Sequence, residues 1–153
     1  MSQLVKPTAD AVEKMLEMLF GDGTEVSSVD SASVSASAAA KYVSDDDALV
    51  ALCVCDAAFL AYSGAALSMM PKGGAEDMIA DGDFSKAILE NFYEVMNICS
   101  RLIMSDTSMH IRLDTTVVGD AVAEARSALS PSQSIAFKVS IPKYGDGQLA
   151  FEF

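Results

Sequence analysis

The sequence predicts an α+β domain of two layers, an antiparallel-rich sheet with long helices, and an internal pseudo-twofold repeat. Three observations carry this reading. Ile135, Phe137, Val139 and Ile141 alternate with Ala136, Lys138 and Ser140, and Leu149, Phe151 and Phe153 alternate with Ala150 and Glu152. That is a hairpin with one buried face. The stretch FSKAILENFYEVMNICSRLIM, residues 84–104, puts Ile88, Phe92, Val95, Met96, Cys99, Leu102 and Ile103 on one face at about 100° per residue. Finally, the order is helix, two strands, helix, helix, strand, hairpin. It divides into two halves, each a helix followed by strands, which makes the first helix and the 84–104 helix counterparts. Helices on one face of an antiparallel sheet form a two-layer domain.

In chain order, Thr8 caps a first helix over 8–20, whose stripe is Val12, Met15, Leu16, Leu19 and Phe20. Gly21-Asp22-Gly23 ends it. Residues 25–44 are rich in Ser, Ala and Val without helical period, which reads as one or two strands of small side chains. Asp45-Asp46-Asp47 marks a solvated hairpin tip, because the D-x-D-x-D-G spacing of a calcium loop is absent. Ala48 to Cys55 is a buried strand. Asp56 caps a helix over 57–70, which Pro71 and Gly73-Gly74 stop. No Lys-Ser/Thr follows the Gly pair as a phosphate loop requires. Ala75 to Ala80 is a short helical turn, and Asp83 is the candidate cap of the 84–104 helix. Met109 to Val118 is a strand, 120–129 a short helix broken by Pro131, and Ser134 to Ile141 and Gln148 to Phe153 the closing hairpin around Lys143 to Gly147.

The 153 residues match one domain, 1–153, large enough to bury a core. Ten basic residues face 22 acidic ones, a net charge of −12. Nucleic acid and anionic membranes both require a basic surface, so neither is an expected partner. Residues 48–70 hold 23 residues with one charge, Asp56, at mid-span. A carboxylate there would cost about 2.5–3.5 kcal/mol in a bilayer, and a buried strand, a cap and a buried helix explain the stretch better. The start, MSQLVKPTADA, has neither apolar core nor cationic flank, so a cytoplasmic chain is expected. Cys53, Cys55 and Cys99 make an odd count without a framework spacing, which points to a reducing compartment and to core roles. His110 has no triad partner at a recognisable spacing and reads as a surface or satisfied core residue.

The other face of the 84–104 helix carries Glu90, Glu94, Asn97 and Arg101, within roughly 60° of each other. An acid and an amide three residues apart stand on one polar stripe. The bland reading is a solvated helix face. However, Glu90 and Glu94 are like charges at i,i+4, which a face built only for stability avoids.

The run Glu94-Val95-Met96-Asn97 resembles the ExxN motif of the CheC, CheX and FliY group, phosphatases acting on the phospho-aspartate of response regulators. The strand and helix of Leu49 to Pro71 are similar to the family's middle segment. Thr115-Thr116-Val117-Val118-Gly119 is similar to its strand after the motif helix, and the strands around Tyr144-Gly145 to its closing hairpin. Glu90 stands where the family has Asp or Ser, Ser100-Arg101 where it often has Gly, and Thr115 or Thr116 where it has Pro. Glu13-Lys14-Met15-Leu16 in the first helix has no Asn, which implies one site per chain, as in the CheX type. The resemblance implies that Asn97 orients the attacking water, that Glu94 pairs with a lysine of the regulator, and that Glu90 and Arg101 touch the partner. That partner would be a phosphorylated CheY-like receiver domain carrying its own Mg²⁺, with no cofactor or metal on this chain. The CheX type also dimerises, so a homodimer is expected. A non-catalytic CheC-like module that only docks a receiver domain or another signalling partner is the alternative.

Overall fold

Three of the helices begin where short polar side chains close their first turns. The side chains of Thr8, Asp56 and Ser85 accept from the backbone N–H groups of Ala11, Phe59 and Ile88, three residues on. In the computed structural model, which describes residues 3–153, the helices are α1 (Ala9–Phe20), α2 (Ala57–Leu67), α3 (Lys72–Asp81), α4 (Lys86–Cys99) and α5 (Asp120–Leu129). The strands are β1 (Glu25–Val29), β2 (Ala38–Ser44), β3 (Leu49–Cys55), β4 (Ile111–Val118), β5 (Ser134–Ile141) and β6 (Gly145–Glu152).

All six strands pair antiparallel in one sheet, in the order β1-β5-β6-β3-β2-β4. Exchanging β1 with β4, β2 with β5 and β3 with β6 returns the same order read from the other edge. The pseudo-twofold axis therefore passes between β3 and β6, and α1 and α4, each preceding the outer strand of its half, are its counterparts. The two crossovers obey the same symmetry. A 3₁₀ turn over Ser31–Ser33 links β1 to β2, and α5 links β4 to β5.

Period two in the strands divides the core. Ala38, Ala40 and Tyr42 of β2, Cys53 and Cys55 of β3, and Phe137 and Leu149 of the closing hairpin pack with Leu16, Leu60, Ile88, Phe92, Met96 and Cys99 of the helices. Ala39, Leu52 and Val54 point to the other face and meet Val122 and Ala125 of α5. The body is thus helices α1–α4 on one side of the sheet, with α5 covering part of the outer side. Arg126 of α5 is fastened there by two hydrogen bonds, Nε at 3.0 Å and Nη2 at 2.6 Å, to the buried Glu152 carboxylate. α2 is apolar nearly all round because it is buried nearly all round, between sheet and helices. Its fit is close on two sides. A Cβ on Gly64 would lie 2.8 Å from the Ile88 carbonyl, and one on Gly147 would lie 2.5 Å from the Phe59 Cα.

Several boundaries differ from the sequence reading. α2 stops at Leu67, not Met70, in a Schellman closure where Met70 N–H reaches the Ala65 carbonyl at 2.9 Å and Met69 takes φ 57°. Gly73-Gly74 do not stop a helix. They sit in the first turn of α3, where N–H groups have no intrahelical partner and glycine costs least. Ser85, not Asp83, caps α4. β6 starts at Gly145, so Gly145-Asp146-Gly147 is strand rather than turn, and Gly147 is required by the closeness of α2. The 84–104 helix is α-helical only to Cys99; Ser100–Ile103 are 3₁₀.

Candidate functional site

That last difference shapes the polar stripe. In an α-helix the Ser100 N–H would take the Met96 carbonyl. Here the buried Tyr42 hydroxyl donates to the Met96 carbonyl at 2.6 Å. The Ser100 N–H turns to Asn97 instead, and the Ser100 hydroxyl donates to the same carbonyl at 2.7 Å. An i→i+3 closure is the 3₁₀ pattern. The peptides on both sides of Asn97 are therefore anchored from within, one by β2 and one by its own cap, while its side chain faces out.

Ile88, Phe92, Val95, Met96 and Cys99 are buried, and Glu90, Glu94 and Asn97 are exposed on the opposite side of α4. Arg101 is also exposed, but it belongs to the 3₁₀ turn beyond α4, not to the α-helical stripe. Glu90 lies 3.8 Å from Lys86 one turn earlier, a contact open to water and of small energetic weight. Among the described residues, Glu94 and Asn97 have no side-chain hydrogen bond or salt bridge. A carboxylate and an amide are thus presented side by side, free to engage another molecule. Asn91 locks the flank of the helix, its Nδ2 donating to the Gly64 carbonyl at 2.9 Å and to Ser68 Oγ at 2.8 Å.

The pseudo-twofold mate of this face, on α1, is spent on the fold. Glu13 Oε1 accepts from the Val26 N–H of edge strand β1 at 2.9 Å. With no Asn beside it, α1 offers no second copy of the acid–amide pair.

Neither the cysteines nor the histidine joins the stripe. All three cysteines are free and buried, and burial pushes the Cys53 and Cys99 thiols well above their ordinary value. His110 Nδ1 lies 2.9 Å from Asp45 Oδ1, and Arg112 pairs with Asp47, so the acidic tip between β2 and β3 is tied to the start of β4. Among the described residues no three His, Cys, Asp or Glu groups cluster as a metal ion needs, and no helix is long and apolar enough to cross a membrane. What the stripe can do chemically is pair with a cation through Glu94 and orient water through an amide that both donates and accepts.

No family model matches the chain, and no curated protein matches it in sequence. The comparison with solved structures decides the fold. The chain is similar to FliM of H. pylori in its complex with SpeE, at 10% identity and a TM-score of 0.52, covering 95% of this chain and 80% of that one. It has a CheC-like α+β fold, the fold that FliM middle domains share. The FliM middle domains of Vibrio alginolyticus (12% identity, 95% and 87% covered, TM-score 0.49) and of H. pylori (9%, 95% and 84%, 0.48) also match.

The sequence alone did not reveal Tyr42, Ser100 and Asn91, the residues that hold the stripe in place. Tyr42 carried no signal, because its partner lies 54 positions away.

Proposed function

We propose that this chain is a CheC-like signalling module whose α4 face docks a phosphorylated CheY-like receiver domain and speeds hydrolysis of its phospho-aspartate. The observation that carries this reading is the pair Glu94 and Asn97, exposed together, without side-chain partners among the described residues, on a helix whose backbone is anchored at that point. An acyl phosphate falls to in-line water, and the receiver domain supplies Mg²⁺ and a lysine around the phosphate. A partner adds only positioning and contact. Asn97 orients the water, Glu94 pairs with the receiver's lysine, and Glu90 and Arg101 contribute contact around them. This chain supplies no cofactor of its own.

A second reading rests on Arg101. It replaces the small residue of the resembled motif and stands exposed just beyond Asn97. If it fills the space the phosphorylated pocket must enter, the module docks its partner without catalysing hydrolysis. The FliM of H. pylori that shares the fold was captured in a complex with SpeE, which fits a fold used for docking. The test is to follow phosphate release from a panel of phosphorylated receiver domains with the wild type and Arg101→Gly. Faster release with the wild type supports the phosphatase. Binding without acceleration, restored in part by Arg101→Gly, supports the docking module. Pairing of two copies through edge strand β1 or β4 belongs to the same proposal, and light scattering that finds only monomer at high concentration removes it.

A further inference from the structure

Tyr42 is fully buried in β2, and the sheet is irregular on both sides of it. Against β3, Tyr42 faces Ala51 and Val43 faces Leu49, so Val50 is an extra residue. Against β4, Lys41 faces Thr115 and Tyr42 faces Leu113, so Asp114 is an extra residue. The other strand pairs keep continuous register. A bulge bends its strand, sharpens the local twist and re-aims a side chain. Here two bulges meet at one residue. Its ring lies on the helical side of the sheet, and its hydroxyl reaches the Met96 carbonyl at 2.6 Å.

The α-helical ladder has its own donor for that carbonyl, the Ser100 N–H. What the hydroxyl changes is the geometry at Asn97. The peptide leading into Asn97 is held from the sheet, and the one leaving it by Ser100, whose hydroxyl donates to the Asn97 carbonyl at 2.7 Å. Met96 and Ser100 are themselves buried. Asn97 lies in the last turn of α4, where carbonyls run out of i+4 partners and helices fray. The two anchors take that freedom from the one turn that carries the amide.

Asn97 needs this hold more than Glu94 does. An Asn carboxamide sits one methylene from the backbone, so the backbone decides where it stands. A Glu carboxylate reaches further on an additional torsion and adjusts to a partner's lysine. Orienting water demands a fixed position, and a displacement of about 1 Å can cost on the order of 100-fold in rate. An exposed ion pair tolerates movement.

We propose that Tyr42 is a positioning residue for Asn97: from inside the sheet it sets the rate at which a docked receiver domain loses its phosphate, and it leaves the docking unchanged. This inference rests on the function proposed above.

The test is single-turnover decay of a phosphorylated CheY-like receiver domain over a range of concentrations of the full chain. It separates the rate at saturation from the concentration that half-saturates. Tyr42→Phe should lower the saturated rate at least fivefold and shift half-saturation less than twofold. In an Asn97→Ala background Tyr42→Phe should change the saturated rate less than twofold, because its effect passes through Asn97. Asp56→Ala, which loses the cap joining α2 to β6, controls for stability and should keep the wild-type rate. In NMR spectra the Asn97 side-chain amide and the Ser100 backbone amide should move in Tyr42→Phe and stay in place in Asp56→Ala. A Tyr42→Phe variant as fast as the wild type, with Asn97→Ala slow, overturns this inference and leaves the phosphatase standing. So do unmoved Asn97 signals in Tyr42→Phe, an equal loss of rate in Asp56→Ala, or the same fold-loss with and without Asn97. A wild type that accelerates no receiver domain overturns the phosphatase itself, and this inference with it.

Discussion

Replacing Tyr42 by Phe removes one oxygen and no packing volume. The ring is fully buried, and its hydroxyl donates to the Met96 carbonyl at 2.6 Å. Without it that carbonyl loses its hydroxyl donor in the core, a penalty of about 1–3 kcal/mol. At roughly 2–4 °C per kcal/mol for a chain of this size, the melting temperature should fall by roughly 2–12 °C. One repair is open. The Ser100 N–H can return to the Met96 carbonyl, extending α4 by a residue and recovering part of the loss. That repair withdraws a bond from the Asn97 carbonyl, so amide exchange at Ser100 and the orientation of Asn97 should change together. Urea unfolding of wild type and Tyr42→Phe should show a lower midpoint at unchanged m-value. An unchanged midpoint, with amide exchange at Ser100 also unchanged, would refute the claim that Tyr42 anchors the site end of α4.

Two further predictions concern titratable groups in and beside the core. Asp56 Oδ1 accepts from Phe59 N–H at 2.8 Å and Gln148 N–H at 3.1 Å, joining the start of α2 to β6. Asp56→Ala should therefore cost about 1–3 kcal/mol in urea unfolding. Burial pushes the Asp56 carboxyl up despite those bonds, so Asp56→Asn, which keeps the acceptor without the charge, should be close to neutral at pH 7; a loss as large as that of Asp56→Ala would contradict this. The thiols of Cys53, Cys55 and Cys99 and the Tyr42 phenol are all raised in the folded state, first by burial. The native protein then holds protons that the unfolded chain releases from about pH 8.5 for thiols and about pH 10 for tyrosine. Stability from these groups is fully present below about pH 8 and declines as pH rises through their folded pKa values. A urea midpoint that stays flat from pH 7 to 10.5 would contradict their burial.

Much of this was legible in the sequence, and the exceptions share a cause. The caps at Thr8 and Asp56 could be read because a single capping residue stands just ahead of an apolar run. Asp83 and Ser85 both stand ahead of α4, and the choice depended on which side chain reached the Ile88 N–H. The exposure of Glu94 and Asn97 and the burial of Cys99 follow from helical period alone. The end of α4 does not, because a hydroxyl from β2 takes the carbonyl that would have continued the ladder. Gly147 read as a turn residue because glycine favours turns, whereas the close approach of Phe59, 88 positions earlier in the chain, fixes it in a strand. The strand order was implied only as a repeat. Its symmetry needed the pairing of β3 with β6, which no local pattern encodes.

The decay of a phosphorylated receiver domain, measured with wild type, Asn97→Ala and Glu94→Lys side by side, tests the function most directly. Neither substitution should alter stability by more than about 0.5 kcal/mol, since both side chains are exposed to solvent. Wild type should accelerate decay. Asn97→Ala should bind the receiver as tightly and lose the acceleration. Glu94→Lys should bind more weakly, with a difference that shrinks as salt is added, because the contact is an exposed ion pair. Equal acceleration by wild type and Asn97→Ala would contradict the assignment of Asn97 and, with it, the proposed phosphatase.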